Sequence, residues 1–354
     1  VGVEGSAARG DCVDRGVDIE LRRPQQLRAR GRARGWPGRV HKASNPDNLD
    51  QFGFGVAIDG DTLAVGAPNE DSGSGGVNRD QASGAAPDSG AAYVFVREKG
   101  VWAQHAYLKA ESPIPNERFG ASIAVLGDLI AVGACATDPI DRPTNQTESG
   151  AVYIFARSAG AWSQVKRIVA PDAQGQDLFG FHVAMTRDAL LVAAPFESSQ
   201  AVRSGAVYVF DRADATWTRA VKLKPAKPVA ESAFGSSIAE DAQTLVVGAG
   251  SDPSEVEKGG SAYVFARDNG AWVERQRLAP DTPVRGATFG WSAAIHGDTI
   301  AVGAPRWGHY LSTPSGEVYL FQLEAARWAK SVVLESPVPR ESDYFGSALA
   351  FTPT

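Results

Sequence analysis

Two polar segments carry the residue types that could bind a ligand. The first, Asn69 to Ser89, places Asn69, Glu70, Asp71, Asp80 and Asp88 among Gly, Ser and Asn. Carboxylates so spaced on a loop could form an acidic pocket or a weak cation site, while the same composition also describes a flexible polar insertion. The second reads Arg306-Trp307-Gly308-His309-Tyr310-Leu311. Trp, Tyr and Arg are enriched at binding hot spots, which makes Arg306, Trp307, His309 and Tyr310 candidate contact residues. The competing reading folds Trp307 back as a small satellite core. Catalytic patterns are missing: the chain has no G-x-S-x-G, no H-E-x-x-H and no Gly-rich phosphate loop between strand and helix. Its five histidines fall at unrelated positions; His182 could line a channel, and Glu240 and Asp241 fall at a turn. No catalytic residue, metal ligand set or cofactor is assigned.

The elements that must position these segments form a repeat. Phe-Gly pairs begin at Phe52, Phe119, Phe179, Phe234, Phe289 and Phe345. In each of the five full units a Gly-Ala or Ala-Ala pair starts 14 residues later, at Gly66, Gly133, Ala193, Gly248 and Gly303. Tyr93, Tyr153, Tyr208, Tyr263 and Tyr319 are each followed nine residues on by a Trp, and each Trp precedes the next Phe-Gly by 17. Only the stretch from Gly-Ala to Tyr varies, at 27, 20, 15, 15 and 16 residues. One supersecondary unit has been copied, with three rigid segments and one elastic loop on the surface. Both candidate segments lie in elastic loops.

Each unit reads as four short strands. In the third, FGFHVAM, ALLVAAP, SGAVYVFDR and WTRAVKLK are separated by turn residues, with no helical period. Position five after each Phe is Ala (Ala57, Ala124, Ala184, Ala239, Ala294, Ala350), and position three is small in all but His182. Residues two apart share a strand face, so the first strand is stripped nearly bare where strands crowd around an axis. The fold class expected is therefore all-β, a β-propeller of four-stranded antiparallel blades. Residues 42–52 match the spacing of Lys109–Phe119, and FGSALAF at the end supplies a first strand. A composite blade from both termini would make six blades, with residues 1–41 an atypical basic segment and 42–354 the propeller.

Bulk properties narrow the partners. Residues 1–42 carry ten Arg/Lys against five Asp/Glu, so the overall charge of −6 leaves −11 on the remainder. An acidic body argues against nucleic acid, and no apolar run approaches a membrane span. Cys12 and Cys135 cannot make a disulfide scaffold; Cys135 stands where three other units have Pro and reads as a small residue at a strand end. A sequon, Asn145-Gln146-Thr147, falls in the second elastic loop. The chain begins with Val and its single Met is Met185, which reads as a fragment or processed chain.

The Phe-Gly and Gly-Ala-Pro landmarks, clearest in FGFGVAIDGDTLAVGAP and FGWSAAIHGDTIAVGAP, resemble FG-GAP repeats, those of the integrin α-chain propeller and of many secreted bacterial proteins. The resemblance covers residues 42–354. It implies an extracellular (secreted or cell-surface), non-catalytic propeller that binds proteins or glycans, and seven blades in the integrin case. Integrin-type repeats often carry a D-x-D-x-D-G calcium loop between the first two strands. Here those turns are as short as Gly127-Asp128 or Asp59-Gly60-Asp61, too short to wrap a calcium ion, so no such site is carried over. Turn chemistry explains these Asp residues. The expectation is a monomeric recognition or adhesion module that offers its elastic-loop face to a protein or glycan. The alternative is the substrate-targeting propeller of a larger secreted enzyme.

Overall fold

The computed structural model is all β among its described residues. The structure describes residues 20–21, 42–47, 49–135, 149–212, 217, 220–241, 243–305, 316–338 and 343–351. Five four-stranded antiparallel sheets follow one another, each a meander of consecutive strands. The first blade is Val56–Asp59, Thr62–Ala67, Ala91–Glu98 and Val101–Leu108; the second is Phe119–Leu126, Leu129–Ala134, Ala151–Ser158 and Ala161–Ile168. The third comprises Val183–Met185, Ala189–Ala194, Ala206–Asp211 and Ala220–Leu223, and the fourth Phe234–Asp241, Thr244–Ala249, Ser261–Asp268 and Ala271–Leu278. Ser292–His296, Thr299–Ala304, Glu317–Glu324 and Arg327–Glu335 make the fifth.

Residue type follows position in the blade. Second strands such as LIAVGA and ALLVAA are buried almost throughout, as strands covered on both faces must be. Fourth strands alternate, with Ala161–Ile168 buried only at Trp162 and Ile168. Between these sheets lies the core. One cluster joins Val94 and Leu108 of the first blade to Phe119 and Tyr153 of the second, and similar clusters bridge blades two to three, three to four and four to five.

The landmarks acquire physical roles here. In the five full units the Phe of Phe-Gly packs against the Tyr and the Phe of its own Tyr-x-Phe, as in Phe119–Tyr153, tilted at 5.4 Å, and Phe119–Phe155, edge-on at 5.9 Å. Such pairs add roughly 0.5–1.5 kcal/mol beyond the area they bury. The Gly of Gly-Ala faces the Phe-Gly carbonyl of the next blade. A Cβ on Gly133 would lie 2.1 Å from Gly180 O, and one on Gly248 1.7 Å from Gly290 O. Side chains are excluded at this seam because two backbones touch.

Chain closure departs from expectation. Residues 42–51 form no strand among those described, and they run as a link like Lys109–Arg118. The fourth strand expected ahead of them falls on residues outside those described. Ala350–Phe351 is the only strand in the FGSALAF segment, and it pairs with Glu20–Leu21 in parallel. Among the described residues the two ends meet only in this parallel pair and not as an antiparallel meander; no hairpin joins segments from opposite ends of the chain, so nothing local dictates their direction. Val56 and Ile58 are exposed, so no sheet covers that side of the first blade's inner strand among the described residues.

Candidate functional site

The first elastic loop is held by a buried charge pair. Glu70 follows the buried end of the second strand, and Lys109 follows the fourth strand. Their side chains are 3% and 1% exposed and are ion-paired. Lys109 Nζ also donates to Ser89 Oγ at 2.8 Å. Glu70 further accepts from Asn45 Nδ2 at 2.9 Å and from the backbone N–H of Ser72 at 3.1 Å. Ser72 in turn bonds the hydroxyl of Tyr107, whose ring packs on Tyr93. Burial pulls the Lys109 ammonium below its usual range, and the Glu70 hydrogen bond and charge oppose that pull. Tyr93 and Tyr107 are pushed well above the usual phenol range, chiefly by burial.

The loop is also stitched along its length. Asn78 N–H donates to Tyr107 O at 2.8 Å while Tyr107 N–H donates to Asn78 Oδ1 at 2.8 Å. Asn116 N–H reaches Pro87 O at 2.8 Å, tying the loop to the link that enters the second blade. The flexible-insertion reading of residues 69–89 is therefore corrected, because this segment is bonded to the fourth strand at Tyr107 and to the link at Asn116. Glu70 is corrected too: it is neutralised inside the blade rather than offered in an acidic pocket.

The other candidates scatter. Asn69 is half-buried, and its Oδ1 has no hydrogen-bond partner. Asp71 is exposed and accepts from Asp88 N–H at 2.8 Å. Asp88 is half-buried, and burial raises its carboxyl above the usual range, with Arg118 opposing and Asp71 adding. Asp80 is exposed and accepts from Ala82 N–H at 2.9 Å. Among the described residues no three His, Cys, Asp or Glu converge as a metal site. Arg306, Trp307, His309 and Tyr310 lie outside the described residues, as does the sequon.

The lock recurs. Glu197 pairs with Lys222 and Lys224, and Asp252 pairs with Arg277 at 3.2 Å. Each acid takes the N–H of a serine two residues on, Ser199 at 3.0 Å and Ser254 at 2.8 Å. Burial works against both carboxylates, yet hydrogen bonds from Lys224 and Ser199 for Glu197, and from Ser254 and Ser261 for Asp252, hold them below the usual range. The signal was in the sequence: an acid-x-Ser four residues after each Gly-Ala or Ala-Ala start, matched by a cation after or within the last strand.

On the opposite face, the turns joining first and second strands carry a second pattern. Arg97 Nε donates to Asp61 at 2.7 Å and Arg157 Nε to Asp128 at 2.7 Å, each Arg stacked on the blade's Trp at 5.2 Å. Glu240 departs from it. Burial pushes its carboxyl up to about 7, Arg267 opposing, Asp241 and Asp188 adding. A folded-state value above the ordinary 4.5 means that ionisation destabilises the fold as pH rises from about 4.5 through about 7. Glu240→Gln should therefore gain stability over the parent at pH 8 and little at pH 4. Denaturant titrations giving the same difference at both pH values would contradict this.

Cys135 is buried and disulfide-bonded, which corrects its reading as a mere small residue. Five like sheets stacked through inter-sheet cores, with glycine seams between them, define a β-propeller-type repeat protein. The family model for the FG-GAP repeat matches residues 42–95, 102–155, 162–210, 217–265 and 272–321, and the chain belongs to that family. Four of these matches start at a Trp of the repeat, so the family unit runs from one blade's last strand into the next blade. Among solved structures, the chain is similar to a candidate 6-phosphogluconolactonase from Bacteroides fragilis, at 14% identity and a TM-score of 0.46, over 78% of this chain and 69% of that one.

Proposed function

We propose that this chain is a non-catalytic extracellular recognition module whose elastic-loop face binds a protein or glycan. The observation that carries this reading is the first elastic loop. A buried lock fixes its base while Asp71, Asn78, Arg79 and Asp80 stand exposed. A loop ordered before binding loses less conformational entropy on complex formation. FG-GAP repeats are typical of extracellular proteins, no helix long and apolar enough to cross a membrane occurs among the described residues, and the Cys135 disulfide suits an oxidising compartment.

The module is a monomeric six-bladed ring in this reading. Residues two after each Phe-Gly Phe alternate large and small: Phe54, Ala121, Phe181, Ser236, Trp291, Ser347. Phe181 and Trp291, two blades apart, meet edge-on at 6.5 Å, and Phe54 and Phe181 pack on Ala121 and Cys135. Such alternation closes without a clash of like neighbours only for an even blade number.

The test is a screen of purified protein on glycan and matrix-protein arrays. A companion variant replaces residues 73–85 with a short Gly-Ser turn, and another replaces residues 306–315. Binding that drops at least about tenfold in either variant is expected. Hydrolysis of glycan or ester panels, lost in His182→Ala, would overturn the reading.

A further inference from the structure

The seam between the third and fourth blades breaks the repeat at four places at once. Ala193 stands where the other units have Gly, and a Cβ built on Gly235 would lie 3.2 Å from Ala206 O. The matching distances at Gly120, Gly180 and Gly290 are 2.4, 2.5 and 2.1 Å, so the backbones stand farther apart at this one contact, while a Cβ on Gly205 would lie 2.1 Å from Phe234 O as at the other seams. Ser122, Ser237 and Ser292 bond the next blade's Phe-Gly carbonyl at 2.7, 2.9 and 2.6 Å; the third blade has the bulkier His182 at that position, where the first unit has Gly55 and the closing segment Ala348. Glu240 replaces an apolar residue found in every other unit: Ile58, Val125, Met185, Ile295 and Phe351. Gln243 replaces the turn acid that is Asp61, Asp128, Asp188 or Asp298 elsewhere.

The last two changes act on one cation. Arg267 stacks on Trp272 at 4.8 Å, and its N–H donates to Gln243 O, as the N–H groups of Arg97 and Arg157 donate to Asp61 and Asp128. With Gln at the turn, Arg267 lacks the turn carboxylate that Arg97 and Arg157 hold, and its buried Nε has no hydrogen-bond partner. The Glu240 side chain makes no hydrogen bond or ion pair either, among the described residues. Between them opens a cleft of about 410 Å³ lined by Thr186, Arg187, Asp188, Glu240, Gln243 and Arg267. That volume is in the range of small-molecule sites.

We infer that this cleft binds an acidic sugar, a hexuronate, with its carboxylate on Arg267 in the place of the missing turn aspartate. A guanidinium left without its anion is a ready bidentate partner for a carboxylate. The six lining residues are all polar or charged, and Gln243 and Asp188 offer groups for hydroxyls. The charged groups facing Glu240 are Arg267 from the third strand, Asp241 beside it and Asp188 from the neighbouring turn, with Arg187 also lining the cleft. While Glu240 is neutral, Arg267 and Arg187 balance Asp241 and Asp188 and the acid can donate to the ligand; once ionised, it tips the cleft negative and repels it. Binding therefore weakens as pH rises past about 7. The site lies on the face opposite the elastic loops, so it stands or falls separately from the loop-face reading.

Titration calorimetry with galacturonate, tetragalacturonate and uncharged galactose, at pH 5.5 and 8.5, tests it. Galacturonate should bind, galactose should not, and affinity should be higher at the lower pH. Gln243→Asp restores the acid present in four other units and should claim Arg267, weakening galacturonate binding by at least about tenfold with no loss of fold. Glu240→Gln should bind with the pH dependence removed. A tetramer that binds more tightly than the monomer identifies a polysaccharide as the source; equal affinity identifies a free or terminal sugar. Galacturonate binding no tighter than galactose, or unchanged in Gln243→Asp, overturns the assignment.

Discussion

Truncating Lys109 to alanine should cost about 3–5 kcal/mol of folding stability, the usual penalty for orphaning one member of a buried ion pair. Lys109 and Glu70 are both almost fully enclosed, and the lysine also serves Ser89. Without it, Glu70 keeps its bonds from Asn45 and Ser72 but no counter-charge. The carboxylate must then stay ionised in a dry site or take up a proton. Removing both charges in Glu70→Gln/Lys109→Met should cost less than Lys109→Ala alone, because no charge is left stranded. Urea midpoints for the single and double variants at pH 5 and 8 decide the matter. A Lys109→Ala loss below about 1 kcal/mol would place this pair among ordinary surface pairs.

Gly133→Ala is the second large effect. The added methyl would sit 2.1 Å from Gly180 O and 2.2 Å from Ser122 Oγ. Ser122 could rotate away only by giving up its 2.7 Å bond to the same carbonyl, and Gly180 belongs to the next blade's backbone. The two sheets must therefore part. Overpacking of this kind costs about 1–3 kcal/mol, and the upper end is expected where backbone rather than a side-chain tip is the obstacle. The reverse change at the matching position, Ala193→Gly, should be much milder, because the Ala193 methyl is already seated against Gly235 and its removal forces no backbone apart. Chemical unfolding of both variants measures the contrast. Equal losses would mean that the seam distances do not control stability.

Much of the fold was legible because its determinants are local and repeated. Alternation of period two marks the strands, Gly60 and Gly127 supply the turn dihedrals, and the bare Ala face marks the inner strand. The closing segment was not legible, since the pairing of Glu20–Leu21 with Ala350–Phe351 joins chain ends that share no turn. The site was harder still. Asp71, Asp80 and Glu70 look alike as letters, yet one bonds a neighbouring amide, one caps its own turn and one is buried beneath a lysine 39 residues away.

From the sequence alone came the repeat, its four strands, its turns and the loops free to vary, because each depends on neighbours within a few residues. Tertiary structure decided which glycine touches which carbonyl, which acid is neutralised, and what the change from Asp to Gln243 leaves unpaired. Those outcomes depend on the gap between adjacent sheets, and a gap of a few tenths of an ångström is set by packing across blades, not by any stretch of chain read alone.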